Sequence, residues 1–415
     1  MTRPDARKRS RLWTMLAVVG PGLVAASAGN DSGGISTYSV AGARFGYQML
    51  WMLVLMTVSL IIVQEMAARM GAVTGKGLAA LIRERFGVRL ALLAMLLLLA
   101  SNVATTIAEF AGVAAGMELF GVTKYFSVPV AMTVVWLLVV RGSYRNVEKV
   151  FLALSSVFLA YVAAAFLAKP DMTEVARGLL VPSGSLDVDF IVVAIAMTGT
   201  TIAPWMPFFT QSNIVDKGLS MRDWVYARAD VITGAISADV VAFFIIVTTG
   251  TVLFPKGIEV TSAEEAAQAL IPVAGEYAGI LFAIGLIAAS LLAAAVLPLT
   301  AAYAVCEAFG WESGLDRSWS EAPVFNGIYT FAILVGAGFV LIPGLDLIRV
   351  MILSQTLNGI LLPFLLVYML LLVNDRQLMG RHVNGRFYNL FAWGTALAAI
   401  ALTAALLVLT ALGLA

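Results

Sequence analysis

Apolar residues recur along this chain in runs of roughly 18 or more, the length that crosses a bilayer as a helix. About eleven such spans can be read, at 13–40, 47–70, 89–118, 123–140, 148–168, 188–212, 230–254, 276–306, 323–342, 347–373 and 388–414. They predict an all-α integral membrane protein. Two spans are broken: the first carries Asn30-Asp31-Ser32-Gly33-Gly34 in its middle, and the sixth carries Ala203-Pro204-Trp205-Met206-Pro207. Paired glycines and double prolines cost helix continuity, and backbone groups freed in lipid must find other partners. Such breaks persist only where they are buried in protein or line a cavity.

The breaks take equivalent places in two halves, spans 1–5 and spans 6–10. An odd number of spans per half inverts the second relative to the first, the layout of transporters with inverted repeats and a midplane site. The predicted organisation is a first repeat over 1–168, a second over 188–373 and an additional helix over 388–414, all in a single transport domain. No sequence repeat accompanies this symmetry, which rests on topology and break position.

Composition narrows the class. With 61% hydrophobic and 12% charged residues, a soluble chain of 415 residues could not cover its apolar surface. Charge placement orients the chain: an N-terminus in the cytoplasm puts 20 of the 26 Lys/Arg inside. The C-terminus then lies outside, and the expected location is the plasma (cell inner) membrane. The basic start (Arg3, Arg7, Lys8, Arg9, Arg11) leads straight into an apolar segment, which predicts a retained first helix rather than a leader. Cys306 and His382 are each alone, which removes disulfides, Cys- or His-based zinc sites and Ser-His or Cys-His dyads. No enzyme activity, resident cofactor, nucleic-acid partner or obligate protein partner is expected; the partners are the bilayer and a transported solute.

The chemistry concentrates at the breaks. Asp31 is a carboxylate at bilayer depth, which needs a cation, a partner or water; its structural alternative is the cap of a half-helix. Unwound backbone at Gly33 and Gly34 is expected to offer carbonyl oxygens. The carbonyl of Thr200 loses its helical partner because Pro204 has no N–H. Gln355 and Asn358 lie three apart and share a helical face. Thr105, Thr106 and Glu109 are candidates to join the cavity from span 3, and Asp239 from span 7. For Glu65 and Asp230, pairing with Arg69 or Arg228 is the favoured reading; for Glu109 and Asp239, structural and functional roles stand level.

The run Gly20-Pro21-Gly22 through Asp31-Ser32-Gly33-Gly34, then Ala41-Gly42-Ala43-Arg44-Phe45-Gly46-Tyr47 and Leu50-Trp51, resembles the first helix of the Nramp family of divalent-metal transporters. Gln64-Glu65-Met66-Ala67-Ala68-Arg69-Met70-Gly71 and Val73-Thr74-Gly75-Lys76 are similar to its second helix and following loop. Ala108-Glu109-Phe110 with Gly112 and Gly116 is similar to the third, and Leu353-Ser354-Gln355 with Leu362-Pro363 to the tenth. The resemblance covers spans 1–10 and implies the LeuT-type five-plus-five fold, with helices 1 and 6 broken.

The departures carry as much information. The family's Asp-Pro-Gly-Asn reads Asp31-Ser32-Gly33-Gly34, and its Met-Pro-His on helix six reads Ala203-Pro204-Trp205. An Asp usual three residues before the helix-three glutamate is Thr106 here, ahead of Glu109, and the helix-nine arginines are absent from residues 322–329. A soft thioether favours transition metals and does little for hard ions. Mg²⁺ dehydrates reluctantly and keeps waters, so a roomier site with one carboxylate suits it. The pattern resembles the Nramp-related magnesium transporters. It implies a hydrated divalent cation, Mg²⁺ ahead of Mn²⁺, held by Asp31, the carbonyls of Thr200 and Ala203, and Gln355, with Gly34 and Ala203 supplying space. Ser32, Gly33, Thr106, Glu109, Trp205 and Asn358 line the cavity or pathway in this reading, and transport is uncoupled from protons and driven by membrane potential. The alternatives are an Nramp-type carrier of Mn²⁺, Ca²⁺ or a trivalent metal, and an organic-solute symporter of the same fold. Asp31 disfavours the symporter, because it repels a substrate carboxylate.

Overall fold

The computed structural model describes residues 29–140, 160–184, 187–314 and 317–411. All regular elements among them are helical, and eight helices are long and apolar enough to cross a membrane. The helices that matter below are α1 (Ser32–Phe45), α2 (Leu50–Thr74), α3 (Leu78–Glu118), α4 (Lys124–Val140), α5 (Ala160–Ala168), α6 (Met172–Leu180) and α7 (Val188–Thr201), followed by α8 (Trp205–Asp216), α9 (Trp224–Val252), α10 (Ala278–Phe309), α11 (Pro323–Val340), α12 (Leu347–Val373) and α13 (Arg386–Ala411). Residues 13–28 of the first expected span and 148–159 of the fifth lie outside the described residues.

Two elements depart from the expected spans. The short helix α6 lies between the fifth and sixth; its start is capped by Asp171, whose side chain accepts the N–H groups of Thr173 and Glu174. The helix α3 begins eleven residues before the expected 89, with Gly87 at φ +81 separating its charged first turns from the apolar body. That backbone angle favours glycine, and nothing crowds the position, so conformation rather than space explains the residue.

The core is built around α3, packed against α10, α12 and α11, while α1 lies chiefly on α9, and α8 and α9 lie on α2. Helices close most tightly where side chains vanish. A Cβ built on Gly199 of α7 would stand 2.1 Å from the Gln355 carbonyl oxygen of α12, and one on Gly359 would stand 2.3 Å from the Ile195 carbonyl oxygen. The two backbones therefore touch, as small residues allow in membrane helix pairs. At the periphery, α13 buries only Ala392, Ala396 and Ala399, a narrow stripe against α12, α7 and α2. Its other faces carry exposed apolar residues such as Leu397 and Leu407, which suits contact with lipid.

Candidate ion site

Residue 29 is helical, Asn30 and Asp31 are not, and the helix resumes at Ser32. The unwound stretch is therefore shorter than the sequence implies. Gly33 and Gly34, expected to be unwound, form the first turn of α1, and the Gly33 carbonyl accepts the Thr37 hydroxyl at 2.7 Å. The physical reason is Asp31 itself: its Oδ1 accepts the Gly34 N–H at 2.6 Å, the N-cap contact that starts a helix. The capping role thus accompanies any ligand role. Asp31 is 3% exposed.

On the facing side α7 ends at Thr201, Ile202, Ala203 and Pro204 break the chain, and α8 resumes at Trp205. Pro204 offers no N–H to the Thr200 carbonyl, as expected from the sequence, and the buried Thr200 hydroxyl has no protein partner either. The Ala203 carbonyl accepts the Met206 N–H at 3.1 Å, which leaves it one free lone pair. The two breaks meet. A Cβ on Gly34 would lie 2.8 Å from Thr200 Oγ1 and 3.2 Å from the Gly29 carbonyl oxygen. Gly34 thus provides close approach of the half-helices rather than the expected space.

Gln355 enters from α12. Its Nε2 donates to Asp31 Oδ1 and Oδ2 at 3.4 and 3.5 Å, and its Oε1 accepts from Asn358 Nδ2 at 2.8 Å. Asn358 also donates to Thr105 Oγ1 at 2.9 Å and accepts the Ser101 hydroxyl at 2.6 Å. This chain orients the Gln355 amide with its N–H₂ toward Asp31. Replacing Asn358 by Ala frees that amide to turn and leaves two buried polar groups short of partners. The expected loss is about 1–2 kcal/mol, or roughly tenfold in initial ion uptake by proteoliposomes. An unchanged rate would show that the amide is held by something else.

Glu109 stands behind Asp31. Its Oε2 accepts the Ser32 N–H at 3.2 Å and the Ser32 hydroxyl at 2.9 Å, and its carboxyl lies within hydrogen-bonding reach of Asp31. Two buried carboxyls this close repel when both are ionised, and a cation beside them relieves that repulsion. The other expected residues fall elsewhere. Thr106 turns to α11: its hydroxyl donates to the Asn102 carbonyl at 2.6 Å, and a Cβ on Gly336 would lie 2.7 Å from its Cγ2. Trp205 is fully buried and sits edge-on to Phe209 at 5.8 Å. Glu65 pairs with Arg69 at 3.4 Å, the reading favoured for it.

A small cavity of about 20 Å³ opens beside this cluster, lined by Gly29, Asn30, Tyr38, Thr200, Thr201, Met206 and Asp239 among others. Asp31, Gly34, Ala203 and Gln355 do not line it, nor do Ser32, Gly33, Thr106, Glu109, Trp205 and Asn358. The altered motif predicts no thioether at the helix-six break, where Ala203 stands, yet Met206 is buried on the cavity wall, and a Cβ on Gly29 would stand 2.8 Å from its Cε. Met206 is the second residue of α8 and follows the break directly, a placement that depends on where α8 restarts.

The family model described as natural resistance-associated macrophage protein-like (Nramp) matches residues 22–409. The divalent metal cation transporter MntH of Erwinia tasmaniensis is 28% identical over 98% of this chain and 97% of its own length. The protein of the same name from Bacillus subtilis is 24% identical over 95% and 92%. Among solved structures, the manganese transporter of Eremococcus coleocola, in complex with an aromatic bis-isothiourea compound, superimposes with a TM-score of 0.80 at 24% identity, covering 98% of this chain and 88% of that one. MhsT in complex with L-phenylalanine shares the fold more distantly, with a TM-score of 0.59 at 16% identity over 97% and 98%.

Proposed function

The chain belongs to the Nramp family, and on that premise we propose that it carries divalent metal cations across the membrane by alternating access at the Asp31 site. The observation that carries this reading is the buried Asp31 carboxylate between two facing helix breaks, with the unpartnered Thr200 hydroxyl beside it. Asp31 supplies charge, the carbonyls of Thr200 and Ala203 supply oxygen, and Gln355 orients the ion or its waters. The two five-helix repeats rock around that ion, and α13 stands outside them. The N-terminus lies in the cytoplasm and the membrane is the plasma membrane.

The relatives are named divalent metal cation transporters without a stated ion, and the similar structure from Eremococcus coleocola is of a manganese transporter; against the Mg²⁺ that the altered motif implies, Met206 gives Mn²⁺ a local basis. A thioether on the cavity wall suits a softer transition metal. The magnesium reading rests on Ala203, which puts no sulfur at the break. Transport is uncoupled from protons: Thr106 carries no titratable group and faces α11. A divalent ion entering down a 100 mV inside-negative potential gains about 4.6 kcal/mol, enough for accumulation without a proton gradient.

The test is uptake of Mn²⁺ and Mg²⁺ into proteoliposomes under a potential and no pH gradient. Saturable entry is expected for the wild type. Met206→Ala is expected to lower Mn²⁺ entry about tenfold, or roughly 1.4 kcal/mol, and to spare Mg²⁺. Mg²⁺ entry with Mn²⁺ only a weak competitor, and no effect of Met206→Ala, would return the magnesium reading. No saturable entry of either ion would sink the proposal.

A further inference from the structure

The cavity beside the breaks is lined by a buried carboxylate other than Asp31. Asp239, midway along α9, is 5% exposed, and its Oδ2 has no hydrogen-bond partner. Around it the cavity presents the oxygens of Tyr38, Gln64, Thr201 and Thr210, and no lysine or arginine lines it. The Thr57 hydroxyl, which donates to the Leu53 carbonyl at 2.8 Å, also lies within reach of Asp239. The cavity offers the free Oδ2 no cationic partner, the kind that a purely structural carboxylate inside a membrane protein ordinarily has.

We propose that Asp239 forms a second, weaker contact for the transported divalent cation, one step along the path from Asp31. This rests on the cation-transport reading. Three observations carry it. The cavity of about 20 Å³ admits one water or one largely dehydrated ion. Among apolar side chains such as Leu60, Val231 and Ala235, its wall carries the neutral oxygen-bearing residues Tyr38, Gln64, Thr200, Thr201 and Thr210, the ligand type that hard and borderline divalent cations accept. Asn30 and Thr200, which flank Asp31, stand on the same wall as Asp239 and Tyr38, and the Tyr38 hydroxyl is bonded to that of Thr201 at 2.8 Å. An ion leaving Asp31 into this cavity meets the second carboxylate there, which compensates its charge.

Mn²⁺ binding to the purified full chain, followed by electron paramagnetic resonance, separates the two contacts. The wild type is expected to show a tight and a weaker site; Asp31→Ala keeps only the weaker, and the double substitution with Asp239→Ala abolishes both. Asp239→Asn is expected to slow uptake about tenfold while tight binding stays within threefold, and Asp239→Glu restores most of the rate. Tight binding retained in Asp239→Asn shows that the variant is folded. The inference is overturned if Asp31→Ala and the double variant bind alike, or if Asp239→Asn transports at the wild-type rate. Should the wild type take up no divalent cation at all, the transport reading itself fails. Asp31-dependent uptake that ignores Asp239 removes this inference alone.

Discussion

Replacement of Asp31 by Asn is expected to lower saturable divalent-cation uptake by at least about 100-fold, equivalent to roughly 2.8 kcal/mol, with little change in thermal stability. The substitution separates the two roles that the structure gives this residue. Asn caps helices about as well as Asp, so the contact to the Gly34 N–H survives. The charge does not. A full charge opposite a divalent ion at about 4 Å has a gross attraction of several kcal/mol even in a moderately polar interior, so a loss of a few kcal/mol is a modest expectation. Asp31→Ala removes charge and cap together and should lose uptake to the same extent, with an added stability cost of about 1 kcal/mol. Uptake from potential-loaded proteoliposomes and thermal melting of the detergent-purified protein read the two effects separately. Near-normal uptake in Asp31→Asn would reduce Asp31 to a helix cap and move the ion elsewhere.

The second large effect is structural. Gly199→Val is expected to prevent α7 and α12 from closing, because even a Cβ at this position would lie 2.1 Å from the Gln355 carbonyl oxygen and 2.3 Å from the Gly359 amide nitrogen. Overpacking against flexible side chains costs about 1–3 kcal/mol, and here the obstacles are backbone atoms that cannot rotate away. Gly199→Ala should fold with a lowered melting temperature and slowed uptake, since Gln355 rides on the displaced backbone. Gly199→Val should yield little monodisperse protein on size exclusion. A Gly199→Ala protein as stable as the wild type would mean that the crossing is looser than drawn.

Most of the architecture is legible in the sequence, because lipid leaves the backbone few options. Long apolar runs become helices, and the glycine and proline clusters mark where they stop. The interruption at Pro204 follows directly from a missing N–H. What the pattern cannot convey is which residues of a polar cluster leave the helix. Asp31 draws Gly33 and Gly34 into α1 by capping it, an outcome that depends on one side-chain rotamer. The charged first turns of α3 were hidden by their polarity, and α6 by its nine-residue length. At the site, Gln355 bonds Asp31 and Asn358, and Glu109 bonds Ser32. Thr106 does not, because residues three apart on α3 point to different neighbours, Glu109 to Ser32 and Thr106 to Gly336. Met206 and Asp239 reach the cavity through the placement of α8 and α9, which no local pattern encodes.

The backbone contact between α7 and α12 bears on the empty carrier. Thr200 and Gln355 ride on this welded pair, whereas Asp31 and Asp239 belong to α1 and α9, which pack chiefly on one another, and Met206 to α8, which packs on α2. At the site the groups are joined by long Gln355–Asp31 hydrogen bonds of 3.4 and 3.5 Å and a Tyr38–Thr201 bond of 2.8 Å. A bound ion adds a strap across that seam. On the proposed uncoupled mechanism the carrier also completes its return stroke unloaded, and so light a latch would let the unloaded halves slip past one another. Turnover is then set by how readily the loaded seam lets go of its cargo rather than by the journey home.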